Sequence, residues 1–199
     1  MSDRIILASN SKIRQQILRR AGIEFDVHRV SLDEVAVRQA LLAEKAKPRD
    51  MADTLAEMKA HIASTRWPGR VTLGCDQVLE FKGEAIGKAA NLGKLQSQLM
   101  ELQGESHMLH SAIVAVKDGQ PIWRFMGKAT LHMRQMSDEW IADYLRRNGL
   151  SLTESVGGYK IEEEGIRLFD RVDGDFFTIQ GLPIVPLITW LTDYGILSK

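Results

Sequence analysis

The chain has 199 residues, 44% of them apolar and 26% charged, with 26 Lys plus Arg set against 26 Asp plus Glu. That size suits one domain, or one domain with two lobes around a cleft. The balanced charge lacks the basic excess of a protein that grips extended nucleic acid, and no apolar run approaches the roughly 20 residues that cross a bilayer. One cysteine, Cys75, allows no internal disulfide; together with the lack of a signal-peptide pattern in "MSDRIILASN" this fits a reducing cytoplasm.

Taken in chain order, the pattern predicts a strand over 4–8 and a helix over 11–21, which carries Ile13, Ile17, Leu18 and Ala21 on one face and stops at Gly22. A short strand follows near 25–30. Helical patterns cover 33–45 and 51–65, with Pro48 marking a break between them. Residues 71–75 and 77–81 read as strands, turning at "KGEA" into "IGK". A helix over 91–103 starts from Asn91 and ends at Gly104, and a hairpin turns at Asp118-Gly119. Another helix, 137–148, has Ser137 as its cap, acids in its first turn and arginines in its last, matching the helix dipole. A Gly- and Glu-rich stretch, 154–165, precedes a last helix over 183–194, which opens on Pro183. The result is an α/β fold with a mixed sheet and flanking helices, because the hairpins argue against a purely parallel one. No linker or repeat interrupts the pattern, so 1–199 reads as a single domain.

Several residues stand out against this background. In "LASNSKIR" a strand runs into a helix through Ser9, Asn10 and Ser11, with Lys12 and Arg14 in the first helical turn, where the dipole disfavours cations. The segment is either a capped helix with solvated cations or a turn that binds an anion through hydroxyls, helix amides and the planar arginine fork. There is no G-x-x-x-x-G-K-[ST] sequence, so it is not a P-loop. Asp76, in "LGCDQV", is either a turn residue or a carboxylate held at a strand end in a cleft, and Lys88, one hairpin later, either lies on the surface or faces the same cleft. A carboxylate near lysines and a metal-bound phosphate has the parts needed to activate water. Cys75 reads as a small buried residue, with no histidine partner to make it a nucleophile. Glu34 and Lys59 taken alone read as solvated helix positions. His107 and His110, three apart in a strand, point to opposite faces and do not suit zinc.

Together these stretches resemble the Maf family of nucleoside triphosphate pyrophosphatases over almost the whole chain. "LASNSKIR" is similar to the family's opening "LAS-x-S-P-R-R", "LAEMKA" to its "LA-x-x-KA", and "LGCDQV" and "IGKA" to its "G-[AS]-D-[TQ]-V" and "GKP". "GGYKIEEEG", "VDGDFFTIQGLP" and the closing helix resemble its C-terminal third. The resemblance implies two α/β lobes around a central cleft, an inosine triphosphatase-like arrangement, and hydrolysis of a nucleoside triphosphate to monophosphate and pyrophosphate. It also implies a divalent cation, Mg or Mn, as cofactor. Asp76 falls on the family's proton acceptor. Ser9, Ser11, Arg14, Glu34, Lys59 and Lys88 fall on its phosphate, metal and substrate positions, with Glu34 and Asp76 as the metal ligands. The expected partner is a small nucleotide; the oligomeric state is left open, a homodimer among the options.

Three positions separate the family's two main bacterial substrate groups: Arg, Thr and Gln in the group that prefers dTTP and UTP, and Trp, Gln and Glu in the group that prefers 7-methyl-GTP. Here they are Ile13, Gln77 and Glu162, so two of three match the second group. A carboxylate suits guanine, whose N1–H and N2–H₂ lie side by side and whose methylated form is cationic. Ile13 lacks the aromatic face that would stack on such a ring, and Lys12 stands where the family usually has Pro. A dTTP/UTP pyrophosphatase is the alternative within the family. The alternative from another class is a nucleotide-binding regulator of cell division with little turnover.

Overall fold

In the computed structural model, which describes residues 4–198, a seven-stranded mixed sheet has the order β2-β1-β3-β5-β6-β7, with β4 beside one half of β3. Met1–Asp3, the start of the stretch read for a leader, and Lys199 lie outside the described residues. Strand β1 (Ile5–Ala8) is buried at every position and pairs in parallel with β2 (Phe25–Val27) and β3 (Thr72–Phe81). The remaining pairings are antiparallel: β3 with β4 (Glu84–Ile86) and with β5 (Ser106–Lys117), β5 with β6 (Gln120–Met133), and β6 with β7 (Phe169–Asp173). The mixed sheet with flanking helices is the architecture anticipated from the sequence.

The helices pack by their apolar stripes. Helix α1 (Lys12–Arg20) and α7 (Ile184–Asp193) cover Ile5, Leu7, Leu73 and Ile113. Between α1 and the next long helix lies α2 (Glu34–Ala43), none of whose residues is buried. Helix α3 (Pro48–Ser64) lays Met51, Ala52, Ala56 and Ala60 over Val78, Ala112 and Val114. Helices α4 (Leu92–Leu102) and α5 (Asp138–Asn148) close a third cluster around Leu79, Leu109, Leu131 and Tyr144. No helix among the described residues is long and apolar enough to cross a membrane.

Four local readings need correction or completion. The break between the two helical patterns lies between Ala43 and Pro48, but Pro48 itself opens α3, three residues before the expected start, since a first-turn position needs no N–H. The two strands expected on either side of Asp76 are one, because the ladder to β5 runs unbroken through Cys75–Ile113, Asp76–Ala112 and Gln77–Ser111. Asp76 therefore sits in mid-strand, not at a strand end. Strand β7 was not expected: in "FDRVD" a register shift between His132 and Met133 spoils the alternation, and the strand exists through its pairing with the end of β6. The one-turn helix α6 (Phe176–Ile179), capped by Asp175, was also not expected, being too short for a period.

Candidate active site

The site begins where the sheet is incomplete. On one side β3 pairs with β5 throughout, but on the other β1 reaches only Thr72–Gly74 and β4 only Leu79–Phe81. The intervening residues, Cys75 to Val78, have no strand on that side among the described residues, and a cleft of about 610 Å³ opens there. Arg14 fills part of the gap in the ladder: its Nη1 donates to the Cys75 carbonyl at 2.8 Å. A strand whose other edge is held by β5 can thus present Asp76 and Gln77 to a cavity without leaving that backbone acceptor unpaired. The Cys75 thiol points into the core, where burial pushes its pKa up.

Asp76 is 4% exposed and lies on the face that α3 covers. The approach of α3 is close because position 74 is glycine: a Cβ there would fall 1.9 Å from the Ala56 carbonyl oxygen. One turn on, Lys59 reaches across. Its Nζ donates to Asp76 Oδ1 at 2.7 Å and pairs with Glu34 Oε1 at 2.9 Å, while Arg38 Nη2 donates to Asp76 Oδ2 at 2.8 Å. Burial pushes the Glu34 carboxyl up, but Lys59, helped by Arg38 and Lys88, more than reverses this and holds it below its ordinary value. For Lys88, desolvation and the neighbouring Arg14 and Lys59 outweigh the pull of Glu34 and Asp76 and hold the ammonium below its ordinary value.

The strand-to-helix turn supplies the adjoining wall. Ser11 is the N-cap of α1, its hydroxyl accepting from the Arg14 amide, and Ser9 Oγ accepts from the Ser11 amide. Arg14 is buried and largely committed within the protein: Nε donates to the Gly181 carbonyl at 2.8 Å and Nη1 to Ser9 Oγ at 3.2 Å, besides its bond to Cys75. Gly181 has φ +89°, a conformation that favours glycine and aims its carbonyl at Arg14. Arg14 therefore braces the turn as well as lining the cleft with Ser9, Ser11 and Ile13.

The opposite wall is the stretch 151–163, which contributes Glu154, Tyr159, Glu162 and Glu163. Buried neutral contacts hold it. Gln98 donates to the Val156 carbonyl at 2.7 Å, Tyr144 to the Gly158 carbonyl at 3.3 Å, and His107 Nε2 meets the Tyr159 hydroxyl at 2.6 Å. Burial, with a small contribution from His132, lowers the His107 pKa to about 4. His107 and His110 turn to different partners, His110 meeting Glu80 at 2.6 Å. Gln77 lies between the walls, and its Nε2 is spent on Ser111 Oγ and the carbonyls of Thr178 and Ile179 at 2.9–3.1 Å. It holds the turn that leads to Gly181.

Every residue that the family resemblance placed in the site lines this one cleft: Ser9, Ser11, Ile13, Arg14, Glu34, Lys59, Asp76, Gln77, Lys88 and Glu162. Arg38 was missed, although its place four residues after Glu34 puts both on one helix face. Tyr159 was missed as well, and His107 was weighed only for zinc, because nothing in the sequence shows that the two meet.

The Maf-like protein family matches residues 4–194. The chain is 48% identical over 194 residues to a nucleoside triphosphate pyrophosphatase of Caulobacter vibrioides, covering 98% of this chain and 97% of that protein. It is 46% identical over 199 residues to one of Roseobacter denitrificans, covering all of both chains. It is 40% identical over 191 residues to a 7-methyl-GTP pyrophosphatase of Brucella abortus, covering 96% of each. With the order of motifs, the mixed sheet and the shared cleft all in agreement, the chain belongs to the Maf-like protein family.

Proposed function

We propose that this chain hydrolyses a nucleoside triphosphate to the monophosphate and pyrophosphate, with 7-methyl-GTP as the favoured substrate. The observation that carries the reading is the buried Lys59, bridging Asp76 and Glu34 at the floor of a cleft that Arg14, Arg38 and Lys88 also line. In it, the cations receive the phosphates. Asp76 takes a proton from the water that attacks the α-phosphorus, and Lys59 and Lys88 stabilise the charge that gathers on departing pyrophosphate. Ser9, Ser11 and the α1 amides hold phosphate oxygens, with Arg14 keeping the turn in shape.

The donor set suits a divalent cation of the magnesium class. No group of three or more His, Cys, Asp or Glu able to hold a metal occurs among the described residues, but two carboxylates converge on one ammonium, the kind of place such a cation takes. Magnesium is ordinarily held by one or two carboxylates with substrate phosphates completing its shell. Glu34 and Asp76 are the residues that would hold it, and when bound it supplies charge neutralisation on the phosphates.

The base preference rests on the contrast between the walls. The triphosphate end is lined by Lys12, Arg14, Arg38, Lys59 and Lys88, the other by Glu154, Glu162 and Glu163 with Lys160. A ligand with an anionic tail and a cationic, donor-rich head is complementary to both. The Brucella relative's name supports that substrate. Ile13 offers neither the aromatic face of the 7-methyl-GTP group nor the arginine of the dTTP/UTP group, so a dTTP or UTP preference is the second reading. A panel of 7-methyl-GTP, GTP, dTTP and UTP, with products resolved by chromatography, tests the proposal. Pyrophosphate and a monophosphate are expected, with the highest kcat/KM for 7-methyl-GTP. A diphosphate and orthophosphate as first products would overturn the reaction, and a preference for dTTP or UTP would overturn the substrate. Omitting the divalent cation should abolish turnover.

A further inference from the structure

Asp76 is capped at both oxygens. Lys59 holds Oδ1 and Arg38 holds Oδ2, and the side chain is only 6% exposed. A carboxylate so engaged has little room to accept a proton from water. The two caps are not equivalent. Lys59 belongs to α3, whose Ala56 and Ala60 rest against Gly74, so its root is fixed by the core. Arg38 belongs to α2, which buries no residue; its half-buried Leu41 packs on the body and two ion pairs, Glu34–Lys59 and Arg38–Asp76, join it to the cleft. Its guanidinium is partly exposed, lines the cleft and has donors beyond the one given to Asp76. A guanidinium binds phosphate as readily as carboxylate, by the same planar fork.

We infer that Arg38 is a triphosphate-binding residue that exchanges its pairing with Asp76 for a substrate phosphate as the cleft fills, uncovering Oδ2 for the attacking water. The exchange replaces one charge-assisted pair by another, so the partly buried arginine is never left unpaired. It ties exposure of the base to the presence of the phosphates that will leave, which a nucleoside alone cannot supply. The inference rests on the pyrophosphatase reading and gives α2, otherwise a loosely held helix, a part in it.

The test uses the full-length chain and inorganic tripolyphosphate, which reports phosphate contacts whatever base is preferred and needs no turnover. Calorimetric binding is measured for wild type, Arg38→Gln, Arg38→Lys, Asp76→Asn and the Asp76→Asn/Arg38→Gln double variant. Arg38→Gln should weaken tripolyphosphate about 10- to 100-fold, as for loss of a charged hydrogen bond, with Arg38→Lys in between. Asp76→Asn should tighten it several-fold by releasing Arg38, and that gain should vanish in the double variant. Unchanged affinity in Arg38→Gln alongside lowered kcat would mean that Arg38 only holds Asp76, and strictly additive effects in the double variant would mean that the two ligands do not compete for it; either overturns the inference. Absence of pyrophosphate release by the wild type would sink the activity reading instead, and the binding data would still be readable.

Discussion

The wall formed by β3, α2 and α3 and the wall formed by residues 151–163 solve opposite problems with opposite means. In the first, charged groups meet at 2.7–2.9 Å, the buried Asp76 and Lys59 on a strand laddered to β5 and a long helix packed on the core, their partners Glu34 and Arg38 on the more exposed α2. In the second, irregular backbone is held from behind by the neutral side chains of Gln98, Tyr144 and His107, and its acids face the cleft. Charge repels its own burial, so it is placed where rigid elements can hold partners at fixed distance. A loop can change its outline without disturbing that machinery. Under the proposed function the contrast makes reaction and substrate choice separable: changes in the first wall should alter turnover, changes in the second the choice of base.

The sharpest way to break this division is Asp76→Asn. It keeps the shape and leaves Lys59 its partner Glu34, so turnover should fall about 10²–10⁴-fold while triphosphate affinity stays within about tenfold. Near-normal turnover in steady-state kinetics would remove Asp76 from the chemistry. The second wall has its own weak point in His107, whose folded pKa of about 4 lies below the ordinary 6.5. Between those values the unfolded chain binds a proton that the folded chain refuses. This group's contribution therefore leaves stability intact above pH 6.5, erodes it as pH falls towards 4 and adds no further loss below. The shift corresponds to about 3 kcal/mol, and chemical denaturation from pH 7 to 4 should show a shallower fall in His107→Gln than in wild type.

Gly74→Ala probes the first wall mechanically. Its Cβ cannot fit against the Ala56 carbonyl, so α3 must move and carry Lys59 from Asp76. A loss of about 1–3 kcal/mol should appear as a lowered Tm, together with reduced kcat for every triphosphate alike. Glu162→Gln should do the reverse. It should cost about 10- to 100-fold in kcat/KM for 7-methyl-GTP and leave dTTP and Tm nearly untouched; equal losses on both substrates would merge the two walls. The smallest expected effect is from Ile13→Trp, a gain of about 0.5–2 kcal/mol for the methylated base, read in the same assay.

The elements that carry a period or a cap are legible in the sequence: Ser11, Asn91 and Ser137 cap the helices expected of them, and Asp118-Gly119 turns the hairpin. Such signals are local, resting on neighbouring residues and their hydrogen bonds. Strand β7 and the one-turn helix α6 left no such signal, since pairing and burial create them. The same division runs through the site. Sequence by itself determined which residue types were available for phosphate chemistry, and the order of its motifs placed Ser9, Glu34, Lys59, Asp76 and Lys88 in one family's pattern. It did not determine what each does with its donors. Only the tertiary structure decided that Asp76 lies in mid-strand beside a gap in the sheet, that Arg14 mends the gap, that Gln77 spends its amide on a turn a hundred residues away, and that Arg38 reaches the carboxylate. These are contacts between distant segments, fixed by how α3 settles on Gly74 and how the sheet closes, and no local period encodes them.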